Sequence, residues 1–185
     1  VDLVGRLRHR LGSLDSIEII QPEALDLVAG HLGAPPPVDV VTNGTVLLVE
    51  CADHSDPSGA LAAALAHASG VVDSAVAIDP AQRHHLVQFR DRITDAIAAA
   101  SSTLGMPTYK LDVAVPLDAV AELLAIAHRA AADDEARLIP FGHLAEGNLH
   151  LNFLGTTAPA LIAESVLTAV ARLGGTISAE HGIGV

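Results

Sequence analysis

Apolar and polar positions alternate with two different periods along this chain, and the switches between them mark out its elements. Residues 1–33 read as mostly helical, interrupted by an extended piece at Ile17–Ile20. Over Pro22–Leu32, the residues Leu25, Val28, Ala29 and Leu32 share one helical face, and Pro22 stands where a first turn tolerates it. Ala34-Pro35-Pro36-Pro37 stops that helix. Thr45–Glu50 is a nearly continuous apolar run, the pattern of a strand buried on both faces. Ser58–Ala68 predicts a helix ended by Gly70, Asp73–Ile78 a strand, and Pro80–Ala100 one long helix. Lys110–Val115 alternates with period two and is closed by Pro116; Leu117–Ala132 returns to helical period, with Asp118 in its first turn. Leu138–Leu144 and Asn148–Leu154 form a hairpin, and Ala158–Leu173 a last helix before Gly174-Gly175.

That order predicts an α+β domain: a largely antiparallel sheet with helices on one face, in a duplicated ferredoxin-like arrangement. A doubly wound parallel sheet is the competing architecture. The tight hairpin disfavours it, because hairpin strands must pair antiparallel.

Composition narrows the partners. Of 185 residues, 50% are hydrophobic and mean hydropathy is +0.43, yet no apolar run approaches a membrane span. No basic-then-apolar leader opens the chain, and the lone Cys51 has no partner for an internal disulfide. Both point to a reducing, cytoplasmic setting, with peripheral membrane association left open and Cys51 as a small core residue. Ten Lys and Arg against 22 Asp and Glu give a net charge of −12, which argues against nucleic acid. Three Phe, one Tyr and no Trp leave little to stack on bases. Ten His are the oddity. His54, His67, His84, His85 and His128 lack companions at ligand spacing and read as solvated.

Two segments keep their histidines in chemically useful company. If Glu146-Gly147 is a two-residue turn, His143 lies directly opposite His150 with Asn152 on the same face, and the two imidazoles can converge on one metal. Cross-strand histidines on a half-exposed sheet are the plainer reading of that pair. Gly174–Gly184 then supplies Glu180 as a third ligand, in a Gly-rich stretch that lets backbone come close, and His181 as a candidate general base. Two His and one carboxylate leave coordination positions open, the catalytic type of site. A helix end followed by a loose loop is the plainer reading here.

The stretches Gly142-His143-Leu144-Ala145-Glu146-Gly147-Asn148-Leu149-His150-Leu151-Asn152 and Ser178-Ala179-Glu180-His181-Gly182-Ile183-Gly184 resemble the two signature segments of the FAD-linked oxidase C-terminal domain. That domain belongs to the vanillyl-alcohol-oxidase-like flavoenzymes, among them D-2-hydroxyglutarate and D-lactate dehydrogenases and the glycolate oxidase flavoprotein subunit. Phe89–Ile97 followed by Tyr109–Pro116 is similar to the substrate-binding pattern of the D-2-hydroxyglutarate branch. The resemblance implies that Arg90, Thr94 and Lys110 bind substrate carboxylate while Asn152 adds a hydrogen bond. Arg90 and Thr94 at i, i+4 would then face one anion. It also implies a divalent metal, zinc by family, on His143, His150 and Glu180. His181 would take the hydroxyl proton as C2 gives a hydride to FAD.

The same resemblance makes residues 1–185 a C-terminal substrate or cap domain. It implies a separate N-terminal FAD-binding domain and a further C-terminal stretch, neither of which is in this sequence. A redox partner would reoxidise the flavin, and a homodimer is compatible. D-lactate or glycolate is the alternative substrate, and a non-catalytic metal-binding or structural cap the alternative of another class.

Overall fold

A computed structural model of the chain describes residues 2–40, 44–66 and 68–178. Five strands, β1 (Leu14–Ile20), β2 (Val46–Cys51), β3 (Thr108–Ala114), β4 (Arg137–His143) and β5 (Asn148–Leu154), form one sheet in the order β2-β1-β4-β5-β3. Every pairing is antiparallel. The helices are α1 (Asp2–Arg10), α2 (Pro22–Leu32), α3 (Ser58–Ala66), α4 (Pro80–Asp91), α5 (Ile93–Leu104), α6 (Val120–Asp133) and α7 (Pro159–Arg172). The α+β class and the antiparallel sheet are those the sequence indicates. Among the described residues no helix is long and apolar enough to cross a membrane.

Local chemistry explains where the helices begin. At α4, the Asp79 carboxylate accepts from Gln82 N at 2.8 Å while Gln82 Oε1 accepts from Ile78 N at 3.0 Å, and Pro80 occupies the first turn. At α7, Asp134 reaches over from the turn after α6 and accepts from the Thr156 hydroxyl, Thr157 N at 2.9 Å and Ala158 N at 3.3 Å. Hydrogen bonds from the Thr156 and Thr157 hydroxyls, joined by the backbone amides, hold its pKa below the ordinary carboxylate value.

The helices do not share one face of the sheet. One apolar cluster joins α1, α3, α6 and α7 to Ile17, Ile19, Val113, Leu149, Leu151 and Phe153. A second joins α2, α4 and α5 to Ile20, Ile139, Phe141 and Leu154 on the opposite face. Alternate positions of β5 are Asn148, His150 and Asn152, and such a polar row reads as a solvated face. Instead α2, α4 and α5 roof that side, and the polar row lies beneath their rim.

Three further elements differ from the expected ones. The long helix at Pro80–Ala100 is two helices broken at Arg92 (φ −89°, ψ 2°), although Phe89, Ile93, Ala96 and Ile97 form one continuous apolar stripe. Neither proline nor glycine marks the break. Asp73–Ile78 joins no strand ladder; its Val76 and Ile78 are exposed, with Asp39 N bonded to Asp73 Oδ2 at 2.8 Å. The β4–β5 connection has four residues, Leu144–Gly147, rather than two.

Candidate functional site

The four-residue connection sets the geometry of the polar face. Leu144–Glu146 make one tight 3-10 turn, and Gly147 reverses the chain at φ +71°, its N–H returning to Leu144 O at 3.1 Å. Gly147 O accepts from Val115 N at 3.1 Å, and a Cβ at this position would stand 2.0 Å from Val115 O, so no larger residue fits. The longer turn slides the register by two positions: His150 lies across from Phe141, and Asn152 from Ile139. His143 is therefore diagonal to His150 rather than opposite it. A two-residue slide preserves the face of every side chain. The two imidazoles still meet, with ring centroids 5.3 Å apart and planes at 86°.

Each imidazole is backed by a carboxylate from the strand on its outer side. Glu18 on β1 pairs across to His143, and its Oε1 lies 2.6 Å from His143 Nδ1. Asp112 on β3 pairs across to His150, with Oδ1 at 3.3 Å from His150 Nδ1. Four adjacent strands thus lay Glu18, His143, His150 and Asp112 across the sheet in a row. From above, α4 lowers Arg90 onto it. Arg90 Nε donates to Glu18 Oε2 at 2.9 Å, Nη2 lies 3.4 Å from His143 Nε2, and the guanidinium carbon sits 5.2 Å from the Phe141 ring centre. Phe141 also packs against His150 at 5.1 Å. In a chain of net charge −12, a guanidinium drawn into a half-buried row of acids and imidazoles makes this row the candidate site for a polar ligand.

The remaining expected residues are placed more variously. Asn152 is buried on the same face, and its Nδ2 donates to Ile139 O at 3.1 Å and His150 O at 3.3 Å. Both amide hydrogens thereby serve the β4 and β5 backbone, and a carbonyl oxygen is what this side chain can offer a ligand. Lys110 lies directly across from Asn152 on the edge strand β3 and is exposed. Thr94 is exposed on α5, beyond the break at Arg92, so one helix no longer carries it together with Arg90. Glu180 and His181 lie outside the described residues. Thr176, near the end of the described chain, bridges to Ala114 on β3 through hydrogen bonds of 2.8 and 3.0 Å. Ala114 is two residues from Asp112.

Glu18, Asp112 and Phe141 were not singled out by sequence reasoning. The signal for Glu18 was present: a lone charge inside the apolar run Ile17–Ile20 must find a partner if that run is buried. Among the described residues no group of three or more His, Cys, Asp or Glu could hold a metal. What they do supply is two neighbouring imidazoles, with a carboxylate oxygen 2.6 Å from Nδ1 of His143 and another 3.3 Å from Nδ1 of His150. Among the described residues no dinucleotide cradle accompanies them, since the row is acidic and offers one guanidinium to a phosphate. A cleft of about 620 Å³ lies elsewhere, between β2, residues 70–79 and α4; neither histidine nor Arg90 lines it.

The family model described as FAD linked oxidases, C-terminal domain, matches residues 1–185. The chain belongs to that family. Over 187 residues this FAD-linked oxidase C-terminal domain is 29% identical to a D-2-hydroxyglutarate dehydrogenase of Xanthomonas citri pv. viticola, covering 93% of this chain and 38% of that protein. Its identity to the mitochondrial D-2-hydroxyglutarate dehydrogenase of Arabidopsis thaliana is 30% over 193 residues, 99% of this chain and 34% of that protein. A D-lactate dehydrogenase of Anaerostipes hadrus is 31% identical over 124 residues, 63% of this chain and 25% of that protein. The domain spans little more than a third of the length of the first two relatives.

Proposed function

We propose that this domain binds the substrate of an FAD-dependent D-2-hydroxy-acid dehydrogenase and oxidises it to the 2-oxo acid in company with a flavin-binding portion. The observation that carries the reading is the row Glu18–His143–His150–Asp112 beneath Arg90: two oriented imidazoles beside one cation, on a face kept from bulk water by α4. A 2-hydroxy acid needs both, an electron-poor centre at its hydroxyl and a cation at its carboxylate. Relatives named D-2-hydroxyglutarate dehydrogenase favour a dicarboxylate.

In this reading His143 and His150, joined by Glu180, would hold a divalent metal, with zinc the expected ion. When bound, the metal supplies Lewis acidity that eases loss of the hydroxyl proton. FAD, which the family implies and a flavin-binding portion would hold, would supply the acceptor for the C2 hydride, and a redox partner would reoxidise it. The domain's own residues do the rest. Arg90 sets its guanidinium against the substrate's C1 carboxylate, and Lys110, exposed on the edge strand beside Asn152, meets a second carboxylate together with Thr94. Asn152 fixes the spacing of β4 and β5 beneath the hydroxyl. His181 accepts the hydroxyl proton.

The test is made in the complete flavin-loaded protein. His143→Ala and His150→Ala are each expected to abolish dye reduction by D-2-hydroxyglutarate and to empty the preparation of zinc. Full activity and full metal content in His150→Ala would end the proposal. D-lactate is the second reading, favoured by the Anaerostipes relative. A kcat/KM for D-lactate above that for D-2-hydroxyglutarate decides for it, and Lys110→Ala then has no effect.

A further inference from the structure

We infer that Arg83 and Glu50 are a positioning pair that sets where α4 holds Arg90. This rests on the reading of Arg90 as the cation that meets the substrate's C1 carboxylate. Burial alone fixes α4 loosely. Of its twelve residues Phe89 alone is buried, whereas α6 and α7 each bury four of fourteen. Leu86 and Val87 line the cleft of about 620 Å³ that parts the helix from β2. The break at Arg92 also means that α5 does not carry α4 along as one rod. A helix so lightly packed takes its place on the sheet from its polar contacts.

Two guanidinium–carboxylate bridges supply them. Arg90 Nε donates to Glu18 Oε2 at 2.9 Å, and Arg83 Nη2 donates to Glu50 Oε1 at 2.8 Å and Oε2 at 2.7 Å. The two arginines are seven residues apart, close to two turns of helix, and so lie on one side of α4. The two glutamates match them. Glu50 on β2 pairs across to Ser16 on β1, two residues from Glu18, so both carboxylates stand on the face of the sheet that α4 covers. One bridge alone leaves the helix free to pivot about Phe89 and Glu18. The second stops the pivot and so sets the height and heading of the Arg90 fork. Taken singly the far bridge is the weaker, since the Arg83 side chain is 62% exposed against 20% for Arg90. Its leverage comes from distance, because roughly 10 Å of helix separate the two arginines.

Steady-state kinetics of the complete flavin-loaded protein with D-2-hydroxyglutarate decide the matter. Arg83→Ala and Glu50→Gln are each expected to raise KM about two- to fivefold, the range a largely exposed ion pair supplies, with kcat little changed. The double variant is expected to match either single one, since each already removes the whole bridge. Arg83→Lys is expected to restore KM: one nitrogen, Nη2, makes both contacts, so an ammonium can replace it. Arg90→Ala is the reference and is expected to raise KM further than any of these. Should KM stay unmoved in Arg83→Ala and Glu50→Gln while Arg90→Ala raises it, the bridge is a surface ion pair only and the inference fails, with the reading of Arg90 intact. A lowered melting temperature with KM unchanged counts against the inference in the same way. Failure of Arg83→Lys to recover what Arg83→Ala loses, or a fall in kcat in place of the rise in KM, also overturns it. Should Arg90→Ala leave KM unmoved, the reading of Arg90 itself fails.

Discussion

The two faces of β5 lie one residue apart and have divided the work of the domain between them. Leu149, Leu151 and Phe153 are wholly buried under α6 and α7, in the larger apolar cluster. Asn148, His150 and Asn152 alternate with them and face the other way, toward Asp112, His143 and the β4 backbone. One face is filled by groups whose worth is the water they exclude. The other buries groups whose desolvation must be offset, contact by contact, by carboxylates and carbonyls. The lesson is that an interior strand of a sheet can keep stability and chemistry apart by parity alone. Substitutions on alternate residues should therefore report on different properties.

The sharpest break between the faces is expected from Phe153→Ala. It removes a fully buried ring and should cost about 3–5 kcal/mol of stability in denaturant titrations, with zinc affinity unchanged in the fraction that remains folded. His150→Ala inverts that pattern. Zinc binding by the chain should fall by more than the roughly 100-fold that marks the upper range for residues behind a ligand. The loss of stability should be smaller than for Phe153→Ala. Equal destabilisation by the two substitutions would show that the polar face is as structural as the apolar one.

Arg90→Lys comes next. A lysine ammonium cannot donate to Glu18 through Nε while offering a fork to a carboxylate, so KM for the hydroxy acid should rise about tenfold, near 1.4 kcal/mol, with kcat little changed. A drop in kcat with KM unmoved would place Arg90 at the reacting atoms instead.

Asp134→Asn should have the smallest effect and lies outside the comparison altogether. Its folded-state pKa is below the ordinary value, so its contribution is present above that value and is lost as pH falls through the folded pKa. The substitution should lower the melting temperature slightly at neutral pH and leave the two proteins alike in strong acid. An undiminished difference at the acid end would show that Asp134 acts through shape and not through charge.

Much of this architecture was legible beforehand, for identifiable reasons. Strong period-two alternation in β3 and β5 and the helical stripe of α2 announced themselves, since burial of one face is what writes such patterns. Asp73–Ile78 reads as a strand from its apolar run Ala75–Ile78 and is none: it pairs with no edge, and a short apolar run does not name its neighbour. The break at Arg92 left no trace because the apolar stripe runs through it. At the site, the histidines and Arg90 were visible as residue types, whereas Glu18 lies 125 positions from His143. Only the strand order, which places β1 beside β4, brings those two together. The hairpin was read one turn too tight, and the ring convergence survived because the error was an even number of residues.

That last point sets a rule for insertions and deletions between β4 and β5. Adding or removing a pair of residues at Leu144–Gly147 slides His143 along the sheet yet keeps it on the side of His150. A change of one residue sends one imidazole through to the greasy layer beneath α6 and α7 unless a bulge absorbs it. Length variation in this loop should accordingly come in twos wherever the histidine pair is kept, and odd steps should accompany its loss.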